Sequence, residues 1–163
     1  MKKDIIFKSE DFIFSYRVAG ILIYDNKILL QKPVDDDGYS LIGGHVEAME
    51  TTEETLIREF KEEMNADITT ERLMAVGEVF FPWGERPCHQ ISLYYKICLN
   101  DFHAIPLDGI FRSYDESGNE RMDLDFCWIP MDKLKDINLC PKELLPYILD
   151  DRYETIHFIS KEI

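Results

Sequence analysis

Basic residues are in short supply. Against 32 aspartates and glutamates the chain carries 18 lysines and arginines, a formal net charge of −14 over 163 residues. A field of that sign repels nucleic-acid backbones and anionic lipid surfaces, which removes both as expected partners. Small phosphate compounds stay open, because bound divalent cations reverse the sign locally. Cysteine is sparse too. Cys88, Cys98, Cys127 and Cys140 form no C-x-x-C pair, which disfavours zinc. With no export signal, a disulfide framework is not expected either, and the four read as reduced thiols. The opening "MKKDIIFKSEDF" has two lysines, but charged residues interrupt the apolar stretch that a signal peptide needs. No apolar run approaches the roughly 20 residues of a membrane span. A cytoplasmic protein is the expectation. Repeats, linkers and low-complexity tracts are absent, and the length suits one domain over 1–163, with a short N-terminal extension over about residues 1–12.

Hydrophobic residues make up 45% of the chain, enough for an ordinary core. "SYRVAGILIYDNKILLQKP" reads as a hairpin, with Val18 to Tyr24, a turn at Asp25-Asn26-Lys27, and Ile28 to Gln31. "VDDDGYS" reads as a loop, then Leu41-Ile42 and a break at Gly43-Gly44. A helix is expected from about Thr52 to Met64. "RLMAVGEVFF" and "HQISLYYKICL" read as strands joined by the turn-rich "PWGERP". "SYDESGNERMD" reads as a polar loop, "DFCWIP" as a strand and "PKELLPYILDD" as a second helix with Pro141 near its first turn. Hairpins argue against a purely parallel sheet, so a mixed β-sheet packed between helices, an α/β class, is expected.

The most unusual segment is "GGHVEAMETTEETLIREFKEEMNADI", which concentrates acid in one loop and helix. Thr51 and Glu54 have the spacing of a capping box. Leu56, Ile57, Phe60 and Met64 recur at three- and four-residue intervals and mark the expected buried stripe. Glu59, Glu62 and Glu63 stand at i, i+3 and i+4, so they converge on a different face. Arg58 can pair with Glu54 or Glu62 but cannot neutralise three carboxylates. A charge run is often no more than a solvated face. Three convergent hard oxygen ligands beside a glycine pair point instead to Mg²⁺, or Mn²⁺ in its place.

Gly44, Glu50 and "REFKEEMNA" resemble the Nudix box, G-x5-E-x7-R-E-U-x-E-E-x-G-U with U a bulky aliphatic. Gly44, Glu50, Arg58, Glu59, Glu62 and Glu63 all fall in register. Asn65 replaces a glycine at a helix end, where a left-handed backbone is favoured and asparagine tolerates it. Phe60 and Ala66 stand at aliphatic positions, and Ile42 and Met49 replace a flanking Pro and Gly. The resemblance implies a Nudix-type α/β/α sandwich and hydrolysis of a nucleoside diphosphate linked to another group. It implies metal ligation by Glu59, Glu62 and Glu63 with the Gly43 carbonyl, and water activation by Glu59 or Glu62. Arg58 and Glu50 would brace the loop against the helix. Glu47 lies in the loop, with a metal role and a surface role both open. A carboxylate from outside the box is expected from Asp123, with Glu120 and Asp125 as rivals. Phe81 and Trp83, with Phe80, would stack on a base. Pro82, sixteen residues past the box, resembles a mark of ADP-ribose pyrophosphatases; His89 reads as structural. The implied partner is a small nucleotide, and a homodimer is left open. A nucleoside triphosphate pyrophosphatase of the MutT kind and a catalytically silent ligand sensor are the competing functions. The intact carboxylate set favours an enzyme.

Overall fold

The computed structural model describes residues 3–117 and 120–163, with side chains for all of these except 113–117, 120 and 121. Among the described residues eleven strands run in chain order: β1 Ile6–Lys8, β2 Ile13–Tyr24, β3 Lys27–Pro33, β4 Gly38–Tyr39, β5 Ile42–His45, β6 Ile68–Trp83, β7 Arg86–Leu99, β8 Ile110–Ser117, β9 Glu120–Pro130, β10 Asn138–Leu139 and β11 Ile156–Lys161. The helices are α1, Thr52–Met64, and α2, Leu145–Leu149. The main sheet runs β11-β6-β7-β2-β3-β9-β8, with β1 and β5 also paired to β2. It is mixed. β2 lies parallel to β7 and β11 parallel to β6, while β6–β7, β3–β9 and β8–β9 are antiparallel.

The β2–β3 hairpin forms around Asp25 and Asn26, both at positive φ, which is the two-residue turn that matches strand twist. Its strands pair only at Ile23↔Ile28 and Tyr24↔Lys27, then splay to join different neighbours. That divergence opens the sheet on both sides of β2. Leu56 and Phe60 of α1 fill one side with Val18, Leu22, Ile97, Phe126 and Trp128. Leu134, Leu144, Ile148 and Phe158 fill the other with Ala19, Ile21 and Tyr94.

Several sequence expectations are corrected. Ile57 is 42% exposed, and Thr52 and Thr55 are buried in its stead. The Thr52 hydroxyl pairs with the Tyr95 hydroxyl at 2.7 Å, so polar side chains anchor that part of the stripe. Gly43 and Gly44 do not break the chain but lie inside β5, opposite Ala19 and Val18. "SYDESGNERMD" contributes strand residues to β8 and β9, which pair from Ile110↔Cys127 to Ser117↔Glu120, and Leu124 and Phe126 carry the apolar alternation down β9. The second helix shrinks to five residues after a 3₁₀ turn at Lys142–Leu144. Pro146 lacks the N–H that a longer helix would use and would clash with the carbonyl four residues back. No helix among the described residues is long and apolar enough to cross a membrane.

Candidate active site

The capping box forms as its residue spacing dictates. Thr51 N–H donates to Glu54 Oε2 at 2.8 Å, and Glu54 N–H donates to Thr51 Oγ1 at 3.2 Å. At the other end Asn65 adopts φ 52° and donates back to Lys61 O, so asparagine does fill the left-handed position. Met49 also sits at positive φ, 72°, with its side chain fully exposed.

β5 brings the glycine pair up to α1. A Cβ on Gly43 would lie 1.9 Å from Val18 O, and one on Gly44 would lie 2.3 Å from the Glu59 carboxyl carbon. Gly43 thus permits close strand pairing, and Gly44 makes room for a carboxylate. That distinction is invisible in sequence.

Arg58 is the hub of the acidic cluster and is itself only 16% exposed. Its Nε donates to Glu50 Oε2 at 3.2 Å, and its Nη1 donates to Glu59 Oε1 at 2.8 Å and Glu62 Oε2 at 3.3 Å. Nη2 donates to His45 O at 3.5 Å and lies 3.6 Å from Glu47 Oε1. Glu47 is therefore drawn inward rather than left on the surface. Thr55 Oγ1 donates to Glu50 Oε2 at 3.0 Å, which fixes the brace from the helix side. Burial alone would lower the Arg58 pKa, but the charges and hydrogen bonds of Glu59 and then Glu50 outweigh it and hold it above the ordinary arginine value. Glu54 takes no part, being committed to the cap. Glu62 is 62% exposed at the outer edge, and Glu63 is half-buried one residue on.

The donor set fits a hard divalent cation: carboxylates on one helix face, with Gly44 hollowed out beside one of them. Among the described residues no three acidic, histidine or cysteine side chains are already closed around one point. The Arg58 guanidinium bridges Glu59 and Glu62 and supplies the balancing positive charge.

Beside this cluster a cleft of about 670 Å³ is lined by Arg17, Asp36, His45, Phe81, Trp83 and Gln90, among others. His45 adjoins Gly44 in β5 and stacks on Trp83, with ring centres 5.9 Å apart. Phe81 stacks on Trp83 in turn at 6.2 Å. Trp83, expected in the turn, continues β6 along with Phe81, and Phe80, on the opposite face, stacks on His89 at 4.4 Å. His89 Nε2 is buried with no hydrogen-bond partner among the described residues. Asp123 lies on β9 opposite Tyr114, one residue from Met122 of the cleft wall. Asp125 is engaged by Arg112 at 3.1 Å. The side chain of Glu120 lies outside the described residues.

Arg17, Gln90 and His45 went unnoticed in the sequence. Arg17 and Gln90 carry a signal of a kind, as polar side chains at inward positions of otherwise apolar strands.

The NUDIX domain model matches residues 15–148. No functionally curated protein matches the sequence. Among solved structures, a UDP-X diphosphatase aligns at 22% identity over 92% of this chain and 68% of its own, with a TM-score of 0.56. An ADP-ribose pyrophosphatase from Streptococcus suis aligns at 17% identity over 88% and 98%, with a TM-score of 0.57. A MutT protein from Bacillus halodurans aligns at 17% identity over 89% and 90%, with a TM-score of 0.56. At these identities the likeness is one of fold.

Proposed function

Because the chain belongs to the Nudix hydrolase family, we propose that it hydrolyses the pyrophosphate linkage of a nucleoside diphosphate joined to a second group, such as ADP-ribose or a nucleotide sugar. The observation that carries this reading is the placement of the Glu59 carboxylate in the hollow at Gly44, with His45 of the same strand opening the cleft. A ligand in that cleft lies next to the acidic cluster.

Glu59, Glu62 and Glu63, with the Gly43 carbonyl, are the residues that would hold Mg²⁺ or Mn²⁺. When bound, the cation supplies charge neutralisation at the phosphates. The protein's own groups do the rest. Arg17 offers a guanidinium to a phosphate oxygen, and Phe81 and Trp83 offer flat faces to the remainder of the nucleotide. Water adds to one phosphorus, the bridging P–O bond breaks, and a carboxylate, Glu59 or Glu62, takes the water's proton. Arg58 keeps Glu50 and the loop in register with the helix while those carboxylates work. Two structural neighbours carry names for reactions on nucleoside diphosphate derivatives and a third is a MutT protein, so both substrate classes enter the test.

The test is product release from a panel of nucleotide sugars, ADP-ribose, dinucleotides and nucleoside triphosphates, with and without Mg²⁺. Glu62→Gln is expected to lower kcat at least ~10²-fold, the order found when one transition-state stabiliser is removed. Undiminished turnover by that variant, or no cation-dependent hydrolysis of any compound by the wild type, sinks the proposal.

A further inference from the structure

The sheet turns apolar side chains toward water beyond the reach of α1. Across β1, β2, β7, β6 and β11, strand pairing sets Phe7, Phe14, His89, Phe80 and Lys161 in one row. His89 stacks on Phe80 at 4.4 Å and meets Phe14 edge-on at 5.8 Å, so these side chains share a face. The next row holds Tyr16, Ile91, Glu78 and Ile159. Beyond it Val76 and Leu93 carry the face up to the core under α1. Phe14, Val76, Phe80 and Ile91 belong to neither core cluster and are only half-buried, although β2, β7 and β6 are interior strands. Ile159 is 52% exposed, Phe7 57%, and Phe12, whose ring lies against Phe7, 44%.

The reverse face of the same strands is sealed, and Ser15, Gln90, Ser92 and Ser160 are buried in it. Hydroxyls and an amide thus point inward while rings and branched aliphatics point outward. This inverts the order expected of a sheet that meets water on one side. An outward face of that composition is the mark of a contact surface.

Charge and size identify what covers it. In a chain of net charge −14, Glu78 is the one carboxylate in these rows, and His157 Nε2 lies 2.8 Å from it. Two such faces meet with little repulsion. Strands about 4.8 Å apart and rows about 7 Å apart make a plate of roughly 24 by 20 Å. With Phe12 and the relief of protruding rings, it approaches the ~800 Å² per partner of a stable interface. The two ends are complementary. Lys161 and His157 stand on β11 at one edge; Phe7 and Phe12 stand at the other, with Glu10 and Asp11 exposed beside them. A two-fold axis through β7, the middle strand of the five, lays β11 of each copy over β1 of the other. Each Lys161 then meets aromatic rings and carboxylates of the second copy, and the contact is made twice.

We infer that two copies of the chain join through this face, sheet against sheet, as a symmetric dimer. Arg17, Phe81 and Gln90 of the cleft belong to the reverse face, so both clefts stay open. The inference is independent of the hydrolase reading.

Sedimentation velocity of the full chain over about 1–100 µM tests it, with a wild-type Kd expected inside or below that range. The dimer has twice the 19.2 kDa of the chain. Ile91→Glu, at the centre of the face, is expected to raise Kd at least ~30-fold, the effect of losing a hot-spot residue. Ile159→Glu changes a side chain already half in water on an edge strand, so the fold survives and circular dichroism is unchanged. It should still raise Kd about 10-fold. Ile110→Glu, 67% exposed on β8, is the control and should leave the dimer intact. A wild type that stays monomeric at ~100 µM overturns the inference and leaves the face to a partner of another kind. A dimer that withstands both Ile91→Glu and Ile159→Glu overturns it too, because the interface then lies elsewhere. So does equal weakening by Ile110→Glu.

Discussion

Replacing Gly44 by alanine tests the active-site geometry most directly. The new Cβ would meet the carbon and both oxygens of the Glu59 carboxyl group at 2.3, 2.4 and 2.6 Å. Ordinary contact between carbon atoms is about 3.5 Å, so the carboxylate must retreat by roughly 1 Å. It is the far end of a flexible side chain and can do so at an off-rotamer cost of about 1 kcal/mol. The catalytic penalty is larger. A displacement of about 1 Å in a reacting or positioning group costs on the order of 10²-fold in rate. Gly43→Ala is the internal control. Its Cβ would strike Val18 O at 1.9 Å and Ala19 Cα at 2.7 Å, which are backbone atoms that cannot step aside without shifting β2. Urea denaturation and cation-dependent turnover of both variants should separate them. Gly44→Ala keeps near-normal stability and loses ~10²-fold in kcat, whereas Gly43→Ala loses well over about 2 kcal/mol of stability. If Gly44→Ala retains wild-type turnover, the position of Glu59 in that hollow is irrelevant to catalysis.

Three other outcomes are expected. Arg58→Ala strands Glu50 and Glu59, both largely buried, and should cost about 3 kcal/mol in chelator, with part recovered on adding Mg²⁺; an unchanged urea midpoint in chelator would contradict the hub role. The Cys88 thiol is pushed up to about 11 by burial. A folded-state pKa above the unfolded value means the stability it contributes is intact below about pH 8.5. That contribution is lost as pH rises toward about 11. Cys88→Ala should reduce the fall in urea midpoint over that window, and an unaltered pH profile would count against it. Trp83 lines the cleft whereas Trp128 is buried with its Nε1–H donating to Pro106 O at 2.8 Å. Nucleotide should therefore quench wild-type tryptophan fluorescence but leave Trp83→Phe nearly unaffected, and Trp83→Ala should raise KM by about 10-fold, the order of one lost base–aromatic stack. A quench that survives in Trp83→Phe would place the ligand elsewhere.

What could be read in the chain beforehand follows local rules. The extent of α1, its capping box, the hairpin at Asp25-Asn26 and the left-handed Asn65 each depend on residues within one or two turns of one another. Periodicity and fixed spacing carry such information directly. The family match belongs here too, because six box positions at fixed gaps lie within one loop and helix. Expectations failed where a distant partner sets the outcome. Ile57 has helical spacing for burial yet stays 42% exposed, and Pro82 and Trp83 extend β6 only because β7 pairs with them at Pro87 and Arg86.

By itself the sequence determined a mixed α/β fold, an acidic helix capped at Thr51, and a set of carboxylates on one face of that helix. Only the tertiary structure decided that Gly44 yields its Cβ volume to Glu59, that Arg58 draws in Glu47 and Glu50, and that Arg17, His45 and Gln90 share a cleft with two aromatics of β6. Those relations join residues up to 73 positions apart, from Arg17 to Gln90, across the β2–β7 pairing. The physical reason is that spacing along a chain specifies which side chains share a helix turn or a strand face. Which backbone approaches within a methyl group of which carboxylate is settled only when the strands find their register.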